Sequence, residues 1–283
     1  MPSVNRDTAF EACARLARTH YENFTVGSFL LPRGTKKHIH ALYAYARTTD
    51  DIGDESEGDR LANLDAWEED FRRIRSGSPR HPIHVALIDT LRKFDIPDEP
   101  FLKLIEANRI DQRRTRHETF KDLLHYCDHS ANPCGRLVLY VFGVRDREAQ
   151  RLSDFTCTAL QLVNFWQDLA IDWAKGRVYI PQEDLRRFEY SEAELARGEA
   201  TEAFRELMQV ECSRTRAMFE RGLPLADRLR GTARFDVRLF SRGGMRVLDL
   251  IERAGYDVFR RRPTLSKLGK ARLALETVLG IRP

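Results

Sequence analysis

The sequence is poor in everything that would make an exported, fibrous or membrane-spanning protein. Its five cysteines, Cys13, Cys127, Cys134, Cys157 and Cys212, are odd in number and contain no CxxC pair. A disulfide framework or zinc knuckle is therefore not expected, and free thiols in a reducing cytoplasm are. No apolar run approaches the roughly 18 residues that a transmembrane helix needs; the stretch Leu137 to Val144 is far shorter. Arg6, Asp7 and Glu11 sit where a secretory leader would need an apolar core, so none is expected. Glycine (16) and proline (11) are too few for a collagen-like or low-complexity chain. The net charge of +4 is too small to argue for nucleic acid. Period-two alternation, the mark of a half-buried strand, is scarce.

What remains is helical patterning. Leu61, Leu64, Trp67, Phe71 and Ile74 recur at spacings of three and four. Breaks are expected near Gly53 to Asp59, Ser76 to Pro82 and Ile96 to Pro100. Further helices are expected over Phe101 to Ile105 and onward, Phe120 to Phe142, Arg147 to Ala174, Ser191 to Arg197, Thr201 to Leu223 and Leu239 to Arg262. Val178 to Ile180 reads as a short extended piece. At 283 residues the chain can bury a large core, and the expectation is a single all-α domain spanning residues 1–283.

Two segments carry unusual chemistry. The first runs Ala41-Leu-Tyr-Ala-Tyr-Ala-Arg-Thr-Thr-Asp50-Asp-Ile-Gly-Asp54-Glu55, and the second Leu160-Gln-Leu-Val-Asn-Phe-Trp-Gln-Asp168-Leu-Ala-Ile-Asp172-Trp-Ala-Lys-Gly176. On a helix Tyr43, Arg47, Asp50 and Asp54 fall within roughly 60° of one another, and Gln161, Asn164, Asp168 and Asp172 within roughly 80°. Leu162, Phe165, Trp166, Leu169 and Trp173 flank the second line, which suggests burial, and buried carboxylates need a cation or hydrogen-bonding partners. One Asp-x-x-x-Asp spacing is most often a solvated face. Two of them, each sharing its face with arginine or amide side chains, argue for a built site. Carboxylate oxygens suit Mg²⁺, which also accepts phosphate oxygens, so two facing stripes would suit a diphosphate. A di-iron bundle would want Glu-x-x-His on two helices. None of the eight histidines has a glutamate three residues earlier.

At these residues the chain resembles the squalene and phytoene synthase family of head-to-head prenyl synthases. The landmarks are Tyr-Ala-x-Ala-Arg-Thr-Thr-Asp-Asp-Ile-Gly-Asp, Tyr126-Cys127 with Ser130-Ala131, Leu-Gln-Leu-x-Asn-x-x-x-Asp-x-x-x-Asp, and Gly176-Arg177-Val178-Tyr179-Ile180-Pro181, over about His20 to Lys270. The resemblance implies an all-α isoprenoid-synthase fold with a central cavity. It implies that Asp50, Asp54, Asp168 and Asp172, with Asn164, bind Mg²⁺ and diphosphate, and that Arg47 and Arg261 meet the diphosphate. It places His20, Asn23, Phe24, Tyr43, Tyr126, Gln161 and Asn164 along the substrate.

The departures are informative. His20-Tyr21-Glu22-Asn23-Phe24 stands where many members carry two serines before Phe, Gln167 where many have Arg, and Gly244 where Tyr is frequent. With Ser130-Ala-Asn-Pro133, the combination looks like one bacterial branch, the hydroxysqualene synthases of hopanoid and squalene biosynthesis. That branch implies presqualene diphosphate as substrate, water in place of NADPH-derived hydride, and a lyase rather than a two-substrate transferase. It also implies a presqualene diphosphate synthase before it and a hydroxysqualene reductase after it. Phe24, Tyr43, Phe165 or Trp166 would face the cation, and Tyr21, Asn23, Asn132 or Gln167 the water. The alternatives are a squalene, dehydrosqualene or phytoene synthase acting on two prenyl diphosphates, and a non-enzymatic relative in assembly or lipid binding. The basic run Arg113, Arg114 and Arg116 offers weak peripheral contact with the inner face of a membrane.

Overall fold

A computed structural model describes residues 5–19 and 34–280. His20, Tyr21, Asn23 and Phe24 lie outside these described residues. Within them the chain is all α, with fifteen α-helices and one isolated parallel bridge, Arg116 to Val178. The helices gather into two compact units, 1–113 with 133–150 and 114–132 with 151–283.

The first unit begins with α1 (Arg6–Thr19), α2 (Lys36–Glu55), α3 (Arg60–Arg72), α4 (Pro82–Phe94) and α5 (Glu99–Arg113). Helix α2 is its axis and packs against α1, α3, α4 and α5. The reason is the fully buried Tyr45. Its ring lies 5.0–5.7 Å from those of Trp67, Phe71, His84 and Phe101, and its hydroxyl donates to the Phe101 carbonyl at 3.1 Å. Trp67 Nε1–H donates to Thr49 Oγ1 at 2.9 Å, so the indole N–H and the tyrosine hydroxyl of this core are both satisfied. The helix starts follow local chemistry. Asp59 caps α3 by accepting from the Leu61 and Ala62 amides, and Pro82 opens α4, where a missing N–H costs nothing.

The run Phe120 to Phe142, expected to be continuous, is two helices, α6 (Phe120–Ser130) and α7 (Asn132–Val141). Pro133 supplies no amide to the preceding turn, and the chain breaks at Ala131. Leu137 and Val141 of α7 join the core of the first unit. Arg147 to Ala174 likewise divides into α8 (Arg147–Gln167) and α9 (Leu169–Ala174), separated by Asp168 at φ −101, ψ 14.

The second unit contains α6, most of α8, α9, and then α10 (Gln182–Arg187), α11 (Glu192–Arg197), α12 (Glu202–Gly222), α13 (Leu225–Arg228), α14 (Gly231–Arg253) and α15 (Lys267–Val278). The helix expected over Leu239 to Arg262 starts earlier, at Gly231, and ends at Arg253, where the Gly255–Tyr256 pair turns the chain at positive φ. Fully buried Trp166 of α8 donates to Thr215 Oγ1 of α12 at 2.9 Å, so it is a core residue and not a cavity wall. Buried Asp184 accepts a forked pair from Arg214, which also reaches buried Glu211 at 3.2 Å. Burial then pushes the Glu211 carboxyl up to about 8. Arg116, part of the basic run considered for membrane contact, clasps Glu192 at 2.6 and 2.9 Å and the Gly176 carbonyl at 2.6 Å. All five cysteines are free; Cys13, Cys127 and Cys212 are buried, whereas Cys134 is exposed and Cys157 half-buried.

Candidate active site

The first acidic helix is α2. It runs through Gly53 and ends at Glu55, within the break expected near Gly53 to Asp59. Asp50 is exposed by area yet crowded by protein, and its carboxyl is pushed up to about 6 by loss of hydration. Asn108 opposes that rise through a hydrogen bond, Asp54 adds to it, Arg47 opposes it and Asp51 adds to it. Carboxylates of like charge gathered on this stretch of helix suit a divalent ion. Arg47 forms ion pairs with Asp51 at 2.6 Å and Glu55 at 3.5 Å, and its Nε is buried without a hydrogen-bond acceptor among the described residues. Half-buried Tyr43 has its hydroxyl pKa raised, chiefly by burial.

Two residues that the motif did not reveal hold this helix in place. Asn108 of α5 donates from Nδ2 to Asp50 Oδ1 and to the Leu104 carbonyl, both at 3.1 Å. Its amide occupies the space a side chain at Gly53 would need: a Cβ there would lie 2.1 Å from Asn108 Oδ1. Gln112, one turn on, donates to the Gly53 carbonyl at 2.8 Å. Gly53 is therefore glycine because Asn108 crosses the helix at that point to reach Asp50. Nothing in the local sequence around Asn108 signals this.

The second acidic line belongs to α8 and α9. The backbone dihedrals break at Asp168, yet its amide still bonds the Asn164 carbonyl at 2.9 Å and its carbonyl accepts from Asp172 at 2.8 Å. Asn164, Asp168 and Asp172 thus remain successive rungs of one ladder. Asn164 is exposed, and Gln161, Asp168 and Asp172 are half-buried, so the line is not sealed from water as its apolar flanks suggested. Asp168 is held by Arg262, whose NH2 group donates to Oδ2 at 3.0 Å and whose own pKa is raised by that carboxylate. The carried-over Arg261 is exposed and has no such partner among the described residues. Gln167, in the position where many family members have Arg, donates to the Pro263 carbonyl.

Beside this line stands an aromatic group. Phe165 stacks on Tyr179 at 3.8 Å between centroids, and buried Tyr126 lies 5.7 Å from Tyr179 and 6.2 Å from Phe165. His117 completes it, 5.3 Å from Tyr126, and burial holds its pKa down to about 4, so the ring is neutral. Asp172, Arg177, Phe165 and Tyr179 border one small recess. Asn132, considered for orienting water, has both amide ends engaged: it accepts from Thr158 Oγ1 at 2.9 Å and donates to Asp128 at 3.4 Å. Gly244 is explained by packing, since a Cβ there would meet Phe219 Cζ at 2.2 Å.

A bundle of helices carrying Asp-x-x-x-Asp lines in both units, each beside a guanidinium, is the all-α isoprenoid-synthase type of protein. A sequence model of the squalene/phytoene synthase family matches residues 17–269, and the chain belongs to that family. Its members act on prenyl diphosphates. The 15-cis-phytoene synthase of Synechococcus elongatus is 33% identical over 277 residues, covering 92% of this chain and 90% of the relative. A crystal structure of squalene synthase HpnC from Alicyclobacillus acidocaldarius is 44% identical, with TM-score 0.86, over 89% of this chain and 95% of that one. A dehydrosqualene synthase structure shares the fold at 22% identity and TM-score 0.88, over 98% and 97%.

Proposed function

We propose that this enzyme is a hydroxysqualene synthase, converting presqualene diphosphate and water to hydroxysqualene and diphosphate. The observation that carries this reading is the spending of Gln167. Where many relatives offer a cationic side chain, this chain has a neutral amide turned onto the Pro263 carbonyl. Gly244, filled by Phe219, likewise lacks the hydroxyl frequent in the family. Both departures favour one diphosphate group over two. The identity to the Alicyclobacillus squalene synthase, 44% against 33% for the cyanobacterial phytoene synthase, supports the same direction.

Asp50 and Asp54 in one unit, and Asp168, Asp172 and Asn164 in the other, are the oxygen donors that would hold Mg²⁺. Among the described residues no three acidic, histidine or cysteine side chains form a ready metal cluster. Mg²⁺ does not require one, because it is satisfied by one or two carboxylates with water and substrate phosphate. When bound, Mg²⁺ supplies positive charge that stabilises the departing diphosphate.

The chain's own groups do the rest. Arg47 and Arg262, each now paired with an aspartate or glutamate, can turn their guanidinium groups to diphosphate oxygens. The C–O bond breaks and diphosphate leaves with the electron pair. The cyclopropylcarbinyl cation rearranges beside ring faces of the Tyr126, Phe165 and Tyr179 group. Water oxygen then bonds to the allylic cation and releases a proton, so no hydride donor enters. Neutral His117 within the same group adds no competing positive charge.

The test is product analysis by mass spectrometry, with Mg²⁺ and without any nicotinamide. Presqualene diphosphate alone should give hydroxysqualene, and chelation should abolish turnover. Formation of a condensed hydrocarbon from farnesyl or geranylgeranyl diphosphate, with no turnover of presqualene diphosphate, would instead establish the two-substrate transferase that the phytoene synthase relatives favour. Absence of turnover with presqualene diphosphate and with farnesyl or geranylgeranyl diphosphate, in a folded wild-type protein with Mg²⁺, would restore the non-enzymatic reading.

A further inference from the structure

Among the described residues six large apolar side chains are markedly exposed, and four of them belong to α15 or its C-cap: Leu268 (80%), Val278 (69%), Leu279 (63%) and Leu275 (59%). At 100° per residue these four and Ala271 fall within about 100° of one another on the helix. The opposite face carries buried Leu273 and Thr277 toward the unit, where α15 packs on α14. The helix therefore has an inner apolar seam that folding uses and an outer apolar stripe that it leaves facing solvent. Scattered exposed leucines need no explanation, but a contiguous stripe on one helix does.

The borders of the stripe name its partner. Exposed Lys267 and Lys270 lie along one side and exposed Arg272 along the other. Beyond Arg272 opens a groove of about 810 Å³ whose walls include Arg246, Arg253, Arg260, Arg261, Arg262 and Arg272. Its two acidic residues are already engaged, Asp257 with Arg260 at 3.1 Å and Glu276 with Arg272 at 2.7 Å. Arg253, Arg261, Lys267 and Lys270 pair with no carboxylate among the described residues. An apolar stripe bordered by cations, with the unpaired Lys267 and Lys270 on one side and Arg253 and Arg261 in the groove on the other, matches a surface that is apolar beneath and anionic above. A second copy of the chain meeting this face about a two-fold axis would set like cations against each other.

We propose that the outer face of α15, with the arginine groove beside it, docks this protein on an anionic lipid bilayer, the leucines entering the acyl boundary and the cations meeting headgroup phosphates. This moves the membrane-facing surface away from Arg113 to Arg116, where Arg116 is committed to Glu192. The proposal does not rest on the reaction above, and either can fail alone.

The experiment is vesicle flotation of the full chain, with phosphatidylcholine alone and with a quarter of it replaced by phosphatidylglycerol. Wild type should float with the mixed vesicles, bind phosphatidylcholine at least about tenfold more weakly, and detach as salt is raised. Leu275→Ser with Leu279→Ser should weaken binding by about tenfold or more. Lys267→Glu with Lys270→Glu should weaken it severalfold and flatten the salt dependence. Circular dichroism and thermal unfolding serve as the check on folding. If the paired serine variant does not fold, Leu268→Ser in the first turn replaces it, with a loss of about threefold or more expected. Wild type that stays down with anionic vesicles, or serine variants that float equally well, would overturn the proposal. A wild-type dimer that the serine variants dissociate would also overturn it, giving the face to a second copy.

Discussion

Replacing Gly53 by alanine should damage the first acidic helix out of proportion to one methyl group. The added carbon would lie 2.1 Å from Asn108 Oδ1, 2.8 Å from its Cγ and 3.0 Å from its Cβ, more than an ångström short of ordinary contact at the first of these. Asn108 cannot simply rotate, because its Nδ2 holds both Asp50 and the Leu104 carbonyl at 3.1 Å. Overpacking of this kind costs about 1–3 kcal/mol, and a lost hydrogen bond to a carboxylate about 1.5–3 kcal/mol. Alanine returns about 0.5–1 kcal/mol through helix propensity. The expected net loss is about 1.5–5.5 kcal/mol, read as a lower midpoint in urea unfolding at unchanged m-value. Turnover should fall as well, since Asp50 loses its strut. Asn108→Ala alone should also destabilise, but in the double variant the methyl group finds space. The cycle should therefore show a coupling of about 1–2 kcal/mol in favour of the pair. Wild-type stability in Gly53→Ala, or additive behaviour in the double variant, would refute the reasoning that Asn108 dictates this glycine.

Three further predictions follow the same logic. Gly244→Ala should destabilise by about 1–3 kcal/mol through its clash with Phe219, and Phe219→Leu should rescue part of that loss, as measured by chemical unfolding. Burial holds the His84 pKa down to about 4 despite its 2.7 Å contact with Asp70. The unfolded chain therefore binds this proton first, and stability should be lost as pH falls from about 6.5 toward 4; His84→Asn should flatten that slope in urea titrations at successive pH. Because Arg262 and not Arg261 holds Asp168, Arg262→Ala should lower kcat/KM about 10–100-fold and Arg261→Ala much less; equal effects would count against the pairing.

The sequence by itself determined the helix class, the two acidic lines and the family landmarks. These depend on spacing along the chain, and an α-helix converts a spacing of three or four into a shared face without help from elsewhere. Leu64, Trp67 and Phe71 are buried for that reason, and Asn164, Asp168 and Asp172 stay on one ladder even where the dihedrals break. Only the tertiary structure decided that Asn108 crosses α2 at Gly53, that Trp166 is core, that Asn132 is fully engaged, and that Arg262 takes the place expected of Arg261. Each of these depends on a partner 26 to 94 positions away in the chain, as with Asn132 and Thr158 or Arg262 and Asp168. A contact between residues so far apart leaves no periodic trace in either segment, because what fixes it is the fit of one helix against another.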